Sequence, residues 1–269
     1  MPEGRPAALR RPVALLGTAI ALLATAVAPT PAHAAPSAPT SGTALSASAS
    51  TAGTARAVSA ATPLAHGSAA RPETYGAPVR PRRAKVVYLS FDDGPSPYTP
   101  KVLKVLAKYG ARATFFELGQ NVTRRPGLTR KVAAQGGSVQ NHTWSHPDLT
   151  RVSASVFRSQ VRRTDRAIRA ATGVTPRCLR PPYGAVNHTV RARARALHKK
   201  VILWTVDPQD WARPGTSAIV HRVLTHVHPG SVVPMHDGGG NRSQTVAALP
   251  EILKALKERG YTFRLIACG

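Results

Sequence analysis

Short apolar runs alternate with amphipathic stretches along the last two thirds of the chain. Val86-Val87-Tyr88-Leu89, within residues 85–91, is a continuous apolar run that Gly94-Pro95 closes, the pattern of a buried strand ending in a loop. Residues 113–118, 138–142, 177–180, 201–206, 231–236 and 261–267 have the same character. Six helices are expected between these strands. The first has Thr99 as cap and Pro100 at its first helical position, and stops at Gly110. The second covers about 127–134. The third starts near Ser153 and carries Phe157, Val161, Thr164, Ile168 and Ala171 on one face before Gly173. Asn187 caps the fourth, the fifth starts near Thr216, and the sixth carries Leu249, Ile252, Leu253 and Leu256 before Gly260. Strict alternation of strand and helix predicts parallel strands joined by crossover helices. Seven such strands allow an open doubly wound sheet or a barrel.

Upstream the pattern changes twice. Arg5, Arg10 and Arg11 precede an apolar stretch from Val13 to Val27, and Ala32-His33-Ala34 follows as a small-x-small sequence. Residues 1–34 therefore read as a secretory signal peptide, too short in its apolar part for a comfortable membrane span. Residues 35–83 are Ala, Ser, Thr, Pro and Gly with almost no large apolar side chain, which predicts a disordered tether. Residues 84–269 are expected to form one globular domain, secreted, monomeric and free of the membrane once the signal is removed.

Polar groups gather where the strands end. Asp92 and Asp93 close the first strand, His142 the third with His146 four residues on, and Arg180 the fourth, followed by Pro181-Pro182-Tyr183-Gly184. Asp207, Asp210 and Trp211 follow the fifth, and His236-Asp237 ends the sixth. The domain holds only 10 acidic residues, and six of them (Asp92, Asp93, Asp148, Asp207, Asp210 and Asp237) lie in or beside these segments. Sites in α/β folds are built at this end of the strands. Two His and one carboxylate form a catalytic zinc set with open positions, and also a non-haem iron set; an exported hydrolase favours zinc. Neither nucleotide-binding glycine pattern is present, and Gly238-Gly239-Gly240 lacks the lysine of a phosphate loop.

Charge adds a second theme. The formal net charge is +25, and the domain carries 29 Lys and Arg. The arginines are spread along helices and only 5% of residues are aromatic, which argues against a nucleic-acid partner. An anionic cell-wall surface is the expected attraction, although an Arg- and Ala-rich composition gives the same excess. The chain has two cysteines, Cys178 and Cys268, and export favours a disulfide between them.

Taken in order, Ser90-Phe91-Asp92-Asp93-Gly94-Pro95, His142-Thr143-Trp144-Ser145-His146, Arg180-Pro181-Pro182-Tyr183-Gly184, Asp207-Pro208-Gln209-Asp210-Trp211 and Pro234-Met235-His236-Asp237 resemble the five motifs of the polysaccharide deacetylase family, the NodB-homology or carbohydrate esterase family 4. The resemblance covers nearly the whole domain and implies a distorted (β/α)7 barrel. It makes Asp92 the general base and gives a divalent metal, expected to be zinc, to Asp93, His142 and His146. Arg180 would orient Asp92, Thr143 would brace the metal loop, and Tyr183 would offer a backbone N–H to the oxyanion. Asp210 would pair with His236, the general acid, and Trp211 would wall the pocket. The family carries Leu two residues before this histidine. Pro234 stands there in this chain, which bears on the fit of the acetyl methyl group. The activity implied is N-deacetylation of N-acetylglucosamine units in peptidoglycan or chitin oligomers. Acetylxylan esterase activity is the alternative reaction, and a carbohydrate- or wall-binding module without catalysis is the alternative of another class.

Overall fold

The computed structural model describes residues 84–269, so the expected signal peptide and tether lie outside the described residues. Among the described residues seven parallel strands are joined by helices as the apolar pattern predicts, but the helices number seven where six are expected. The strands are β1 (Lys85–Asp92), β2 (Thr114–Glu117), β3 (Ser138–Asn141), β4 (Cys178–Leu179), β5 (Lys200–Val201), β6 (Val232–His236) and β7 (Tyr261–Phe263). The helices are α1 (Thr99–Lys108), α2 (Gly119–Arg124), α3 (Pro126–Ala134), α4 (Ala154–Thr172), α5 (His188–Ala196), α6 (Thr216–His226) and α7 (Ser243–Glu258). The sheet order is β5-β4-β3-β2-β1-β6, and β7 pairs with the first residues of β1. The result is a curled sheet wrapped by helices, an incomplete barrel of the kind expected.

Its open seam follows from the residues on either side. Pro181 and Pro182 have no N–H to give to a ladder, so β4 ends at Leu179 and β5 loses its neighbour after Val201. Residues 201–206, expected as a whole strand, pair through Lys200 and Val201, and beyond that donate to β4 at Leu179 and to β6 at Val232. Pro234 fits the other side of the seam. Val232 and His236 both direct their N–H away from β1, to Thr205 Oγ1 and Asp210 Oδ2. Pro234 lies between them in the alternation, so its missing N–H costs no ladder bond.

Three other boundaries differ from expectation. The helix expected near 127 is preceded by a further one, α2, and the two are separated at Arg125, which leaves the helical region (φ −138°, ψ 54°) as the following proline disfavours helical backbone there. Thr99 is the first residue of α1 rather than its cap; its hydroxyl accepts from Ser96 N and donates to the Asp237 carboxylate. β7 stops at Phe263, short of the expected 267. Ser153 and Asn187 cap α4 and α5 as read from the sequence.

The main core lies between the sheet and α1, α6 and α7. Val87, Leu89, Phe91, Phe115, Val233 and Met235 are fully buried against Val102, Ile219, Val223, Leu249, Ile252 and Leu253. No helix among the described residues is long and apolar enough to cross a membrane. Cys178 and Cys268 are joined, with Cα atoms 5.3 Å apart and a sequence separation of 90. Closing so long a loop restricts the unfolded chain. Reduction should therefore lower stability by on the order of 4 kcal/mol in the chain-entropy account. Urea denaturation with and without reductant measures it, and coincident curves would remove the disulfide from the account of stability.

Candidate active site

Register builds the site in layers. Asp92 on β1 is opposite His236 on β6 and Phe116 on β2; one layer below, Ser90 is opposite Pro234 and Thr114. Residues in register on neighbouring strands share a sheet face, so Asp92 and His236 stand side by side at the carboxyl ends. They open into a cleft of about 380 Å³ lined also by Asp93, His142, His146, Pro181, Tyr183, Trp204, Asp207, Trp211 and Pro234.

Arg180 lies fully buried beneath Asp92. One guanidinium nitrogen donates to Asp92 Oδ1 at 2.7 Å and to Ser90 Oγ at 2.8 Å, while the other donates to the Leu203 carbonyl. The guanidinium stacks 4.1 Å from the Phe116 ring centroid. A charge pair this deep holds only with such geometry and added hydrogen bonds. Its effect is to fix one carboxylate oxygen of Asp92, itself 4% exposed, in a single orientation.

Asp93, the next residue, turns the other way. Its φ of 70° is left-handed, which lets two adjacent carboxylates serve one cleft. Thr143 (φ 72°), His146 (φ 65°) and Tyr183 (φ 60°) share this conformation, so four of the seven such non-glycine residues among the described residues belong to the site. Strain of this kind persists where surrounding contacts over-determine it. Here Asn121 Nδ2 donates to the Asp93 carbonyl, Asn141 Oδ1 accepts from Thr143 N, and Thr143 Oγ1 accepts from His146 N. Gln160 on α4 accepts from Trp144 N and Ser145 N and donates to Ser145 Oγ. The segment from His142 to His146 is therefore a braced loop and not a helical turn.

Asp93 Oδ1 lies 3.6 Å from His142 Nε2 and 3.5 Å from His146 Nε2. It is buried and has no hydrogen-bond partner. One ligand atom from each of the three residues falls within 4.8 Å of the others. His142 Nδ1 is 2.7 Å from the Arg180 carbonyl, which only an N–H can approach, so Nε2 keeps its lone pair for the cleft. Burial and the neighbouring His142 hold the His146 imidazole below its ordinary pKa, in the neutral form that ligates. An orphaned carboxylate oxygen facing two imidazole nitrogens fits a divalent cation such as zinc.

Across the cleft, Asp210 accepts from His236 twice, at Nδ1 (2.7 Å) and at the backbone N (2.8 Å), and from Thr245 Oγ1. Burial works against charge on His236, but the Asp210 hydrogen bond and charge outweigh it and carry the imidazole up to about 9. Burial also pushes the Asp210 carboxyl upward, and its bonds to His236 and Thr245 more than reverse this. The pair stands as imidazolium and carboxylate at neutral pH.

Tyr183 and Trp211 stand exposed on the cleft rim, the Tyr183 ring 4.5 Å from that of His146. Trp204, which the sequence did not single out, lines the wall with one ring edge against Gly184. Of the six clustered acids, Asp148 is not in the cleft: it caps a surface turn, accepting from Thr150 and pairing with Arg151. Asp237 lies fully buried away from the cleft, held by Thr99, and burial lifts its carboxyl to about 7. Gly238 and Gly239 are explained by contact and not by phosphate: a Cβ on Gly238 would lie 2.0 Å from the Asp93 carbonyl oxygen, and one on Gly239 would lie 2.3 Å from Asp93 Oδ2, while Gly240 is explained by its φ of 138°.

This arrangement has counterparts. The sequence model of the polysaccharide deacetylase family matches residues 79–202. A chitooligosaccharide deacetylase of Sinorhizobium fredii is 43% identical over 193 residues, covering 67% of this chain and 90% of its own. A peptidoglycan-N-acetylglucosamine deacetylase of Bacillus cereus is 39% identical over 186 residues, 68% of this chain and 87% of its own. Among solved structures, a family 4 carbohydrate esterase from Streptomyces lividans in complex with acetate superposes with a TM-score of 0.65 and 38% identity, covering 68% of this chain and 93% of that one. With the five motifs gathered at one end of a curled parallel sheet, the chain belongs to the polysaccharide deacetylase family.

Proposed function

We propose that the protein is a secreted, metal-dependent N-deacetylase of N-acetylglucosamine polymers, acting on peptidoglycan or chitin oligomers. The observation that carries this reading is what one cleft brings together. Asp92, fixed by Arg180, stands beside His236, held as imidazolium by Asp210, with the Asp93, His142 and His146 donors in the same cleft.

Each residue has a task. A divalent ion held by Asp93, His142 and His146 would polarise the acetyl carbonyl and acidify water. Asp92 takes the proton of the attacking water as oxygen bonds to the carbonyl carbon. The Tyr183 backbone N–H receives the charge that develops on the carbonyl oxygen. The C–N bond then breaks, the sugar nitrogen takes the His236 proton and leaves as amine, and the acetyl group leaves as acetate. An amine is a poor leaving group unless protonated, so an imidazole that stays charged up to about 9 suits an amide. Trp211 and Tyr183 at the rim and Trp204 on the wall give the cleft an aromatic lining suited to sugar rings. The 29 basic residues of the domain against 10 acidic ones favour an anionic wall as the place of action.

Acetate release from peptidoglycan, chitin oligomers and acetylated xylan, compared with and without chelator, tests this reading. Release from one or both of the first two, abolished by chelator and restored by zinc, is the expected result. Release from xylan alone would favour the esterase, chelator-insensitive release would refute the metal, and no release with retained polymer binding would favour a binding module.

A further inference from the structure

Arg242 is a buried cation with no carboxylate partner. It is 5% exposed and forms no ion pair among the described residues. Its guanidinium is spent on three backbone carbonyls: Nε donates to Gly238 O at 2.5 Å, one terminal nitrogen to Gly239 O at 2.9 Å, and the other to Trp211 O at 3.2 Å. Removing a guanidinium from water without an anion is costly, and only well-placed acceptors offset the loss. The acceptors chosen here come from two separate segments, and both belong to the site.

Gly238-Gly239 follows the β6 strand that carries His236, and it presses on Asp93. There is no room for even a methyl group between Gly238 and the Asp93 carbonyl, or between Gly239 and Asp93 Oδ2. Gly238 N also donates to the Asp92 carbonyl. Trp211 follows Asp210, the partner of His236, and forms the rim of the cleft. A single planar fork therefore joins the backing of Asp93 to the turn that carries Asp210 and Trp211. Lysine presents one point charge and cannot span three carbonyls in this way.

We propose that Arg242 is a positioning residue: by clamping Gly238-Gly239 against Asp93 it sets the orientation of that carboxylate toward His142 and His146, and by holding Trp211 it sets the cleft wall. This rests on reading Asp93 as a metal ligand. Residues that orient a ligand from behind typically contribute 10- to 100-fold to metal affinity.

Arg242→Met and Arg242→Lys, each in the full chain with the disulfide formed, test the proposal. Zinc affinity is measured without substrate, by competition with a chromogenic chelator, beside thermal unfolding and steady-state kinetics on chitin oligomers. Arg242→Met should bind zinc about 10- to 100-fold more weakly. With zinc in excess kcat should recover while KM remains raised through the loosened Trp211 rim, and Arg242→Lys should fall between variant and parent. Should the Met variant not fold, the Lys variant carries the test through the same zinc affinity and KM. Folded variants that bind zinc within about twofold of the parent, below the outer-shell range, with KM unchanged, would overturn the proposal and leave Arg242 a structural residue. A parent chain that binds no zinc would instead remove the metal reading itself, and the inference with it.

Discussion

Asp92→Asn should keep its metal and lose roughly 100- to 10,000-fold in turnover, whereas Asp93→Asn should lose the metal. The two side chains are adjacent in sequence but face different partners. Asp92 is bonded to Arg180, and asparagine can still accept that hydrogen bond while having no basicity to offer a water proton. Asp93 has a buried oxygen that no hydrogen bond satisfies, opposite two imidazoles. Replacing it with a neutral amide removes a charged ligand from a set of three. Metal content and acetate release, measured on both variants, separate the roles. Equal metal loss in the two, or near-normal turnover in Asp92→Asn, would contradict this division of labour.

Asp210→Asn should collapse the alkaline side of the pH–rate profile. His236 must be protonated to release an amine, and Asp210 is what raises it to about 9. A raised pKa keeps the acid form present up to that pH and loses it only above. Without the Asp210 carboxylate, burial pulls the imidazole down against only the smaller pull of the Asp92 and Asp93 charges, and it falls toward its ordinary 6.5. At pH 8 the protonated fraction would then fall by about 30-fold, against little change near pH 5.5, where both forms are protonated. A bound cation across the cleft shifts the parent and the variant in the same direction, so the comparison between them carries the test. An alkaline limb unchanged in Asp210→Asn would show that His236 is not the acid.

Much of the fold was legible because burial imposes pattern. A parallel strand covered on both faces must be apolar along its length, so β1, β2 and β6 announced themselves, and the polar residues that end them stood out. The clustering of scarce acids along the chain pointed to the end of the sheet where the cleft lies. Asp148 shows the weakness of that argument, since an aspartate beside the cluster in sequence proved to be an ordinary turn former. What was illegible depends on contacts between distant segments. Gln160 lies on the polar edge of an amphipathic helix, and nothing in its neighbourhood says that it braces the loop between His142 and His146. Trp204 sat in a stretch read as strand, but the strand stops at Val201 and Trp204 lines the cleft. Gly238-Gly239 read only as a loop without a phosphate-loop lysine, because the residue they press on is Asp93, more than a hundred positions earlier. The break between α2 and α3 was readable in principle from Arg125-Pro126, whose restriction is local.

The central claim, that one ion held by Asp93, His142 and His146 makes this chain a deacetylase, is met most directly by titrating zinc into metal-free protein while following acetate release from a chitin oligomer. No release at the start, a rise in proportion to bound zinc, and a plateau at about one ion per chain, the count of a three-ligand site, are expected. Release that precedes metal binding, or zinc bound at one per chain with no acetate formed from any N-acetylglucosamine polymer, would contradict it.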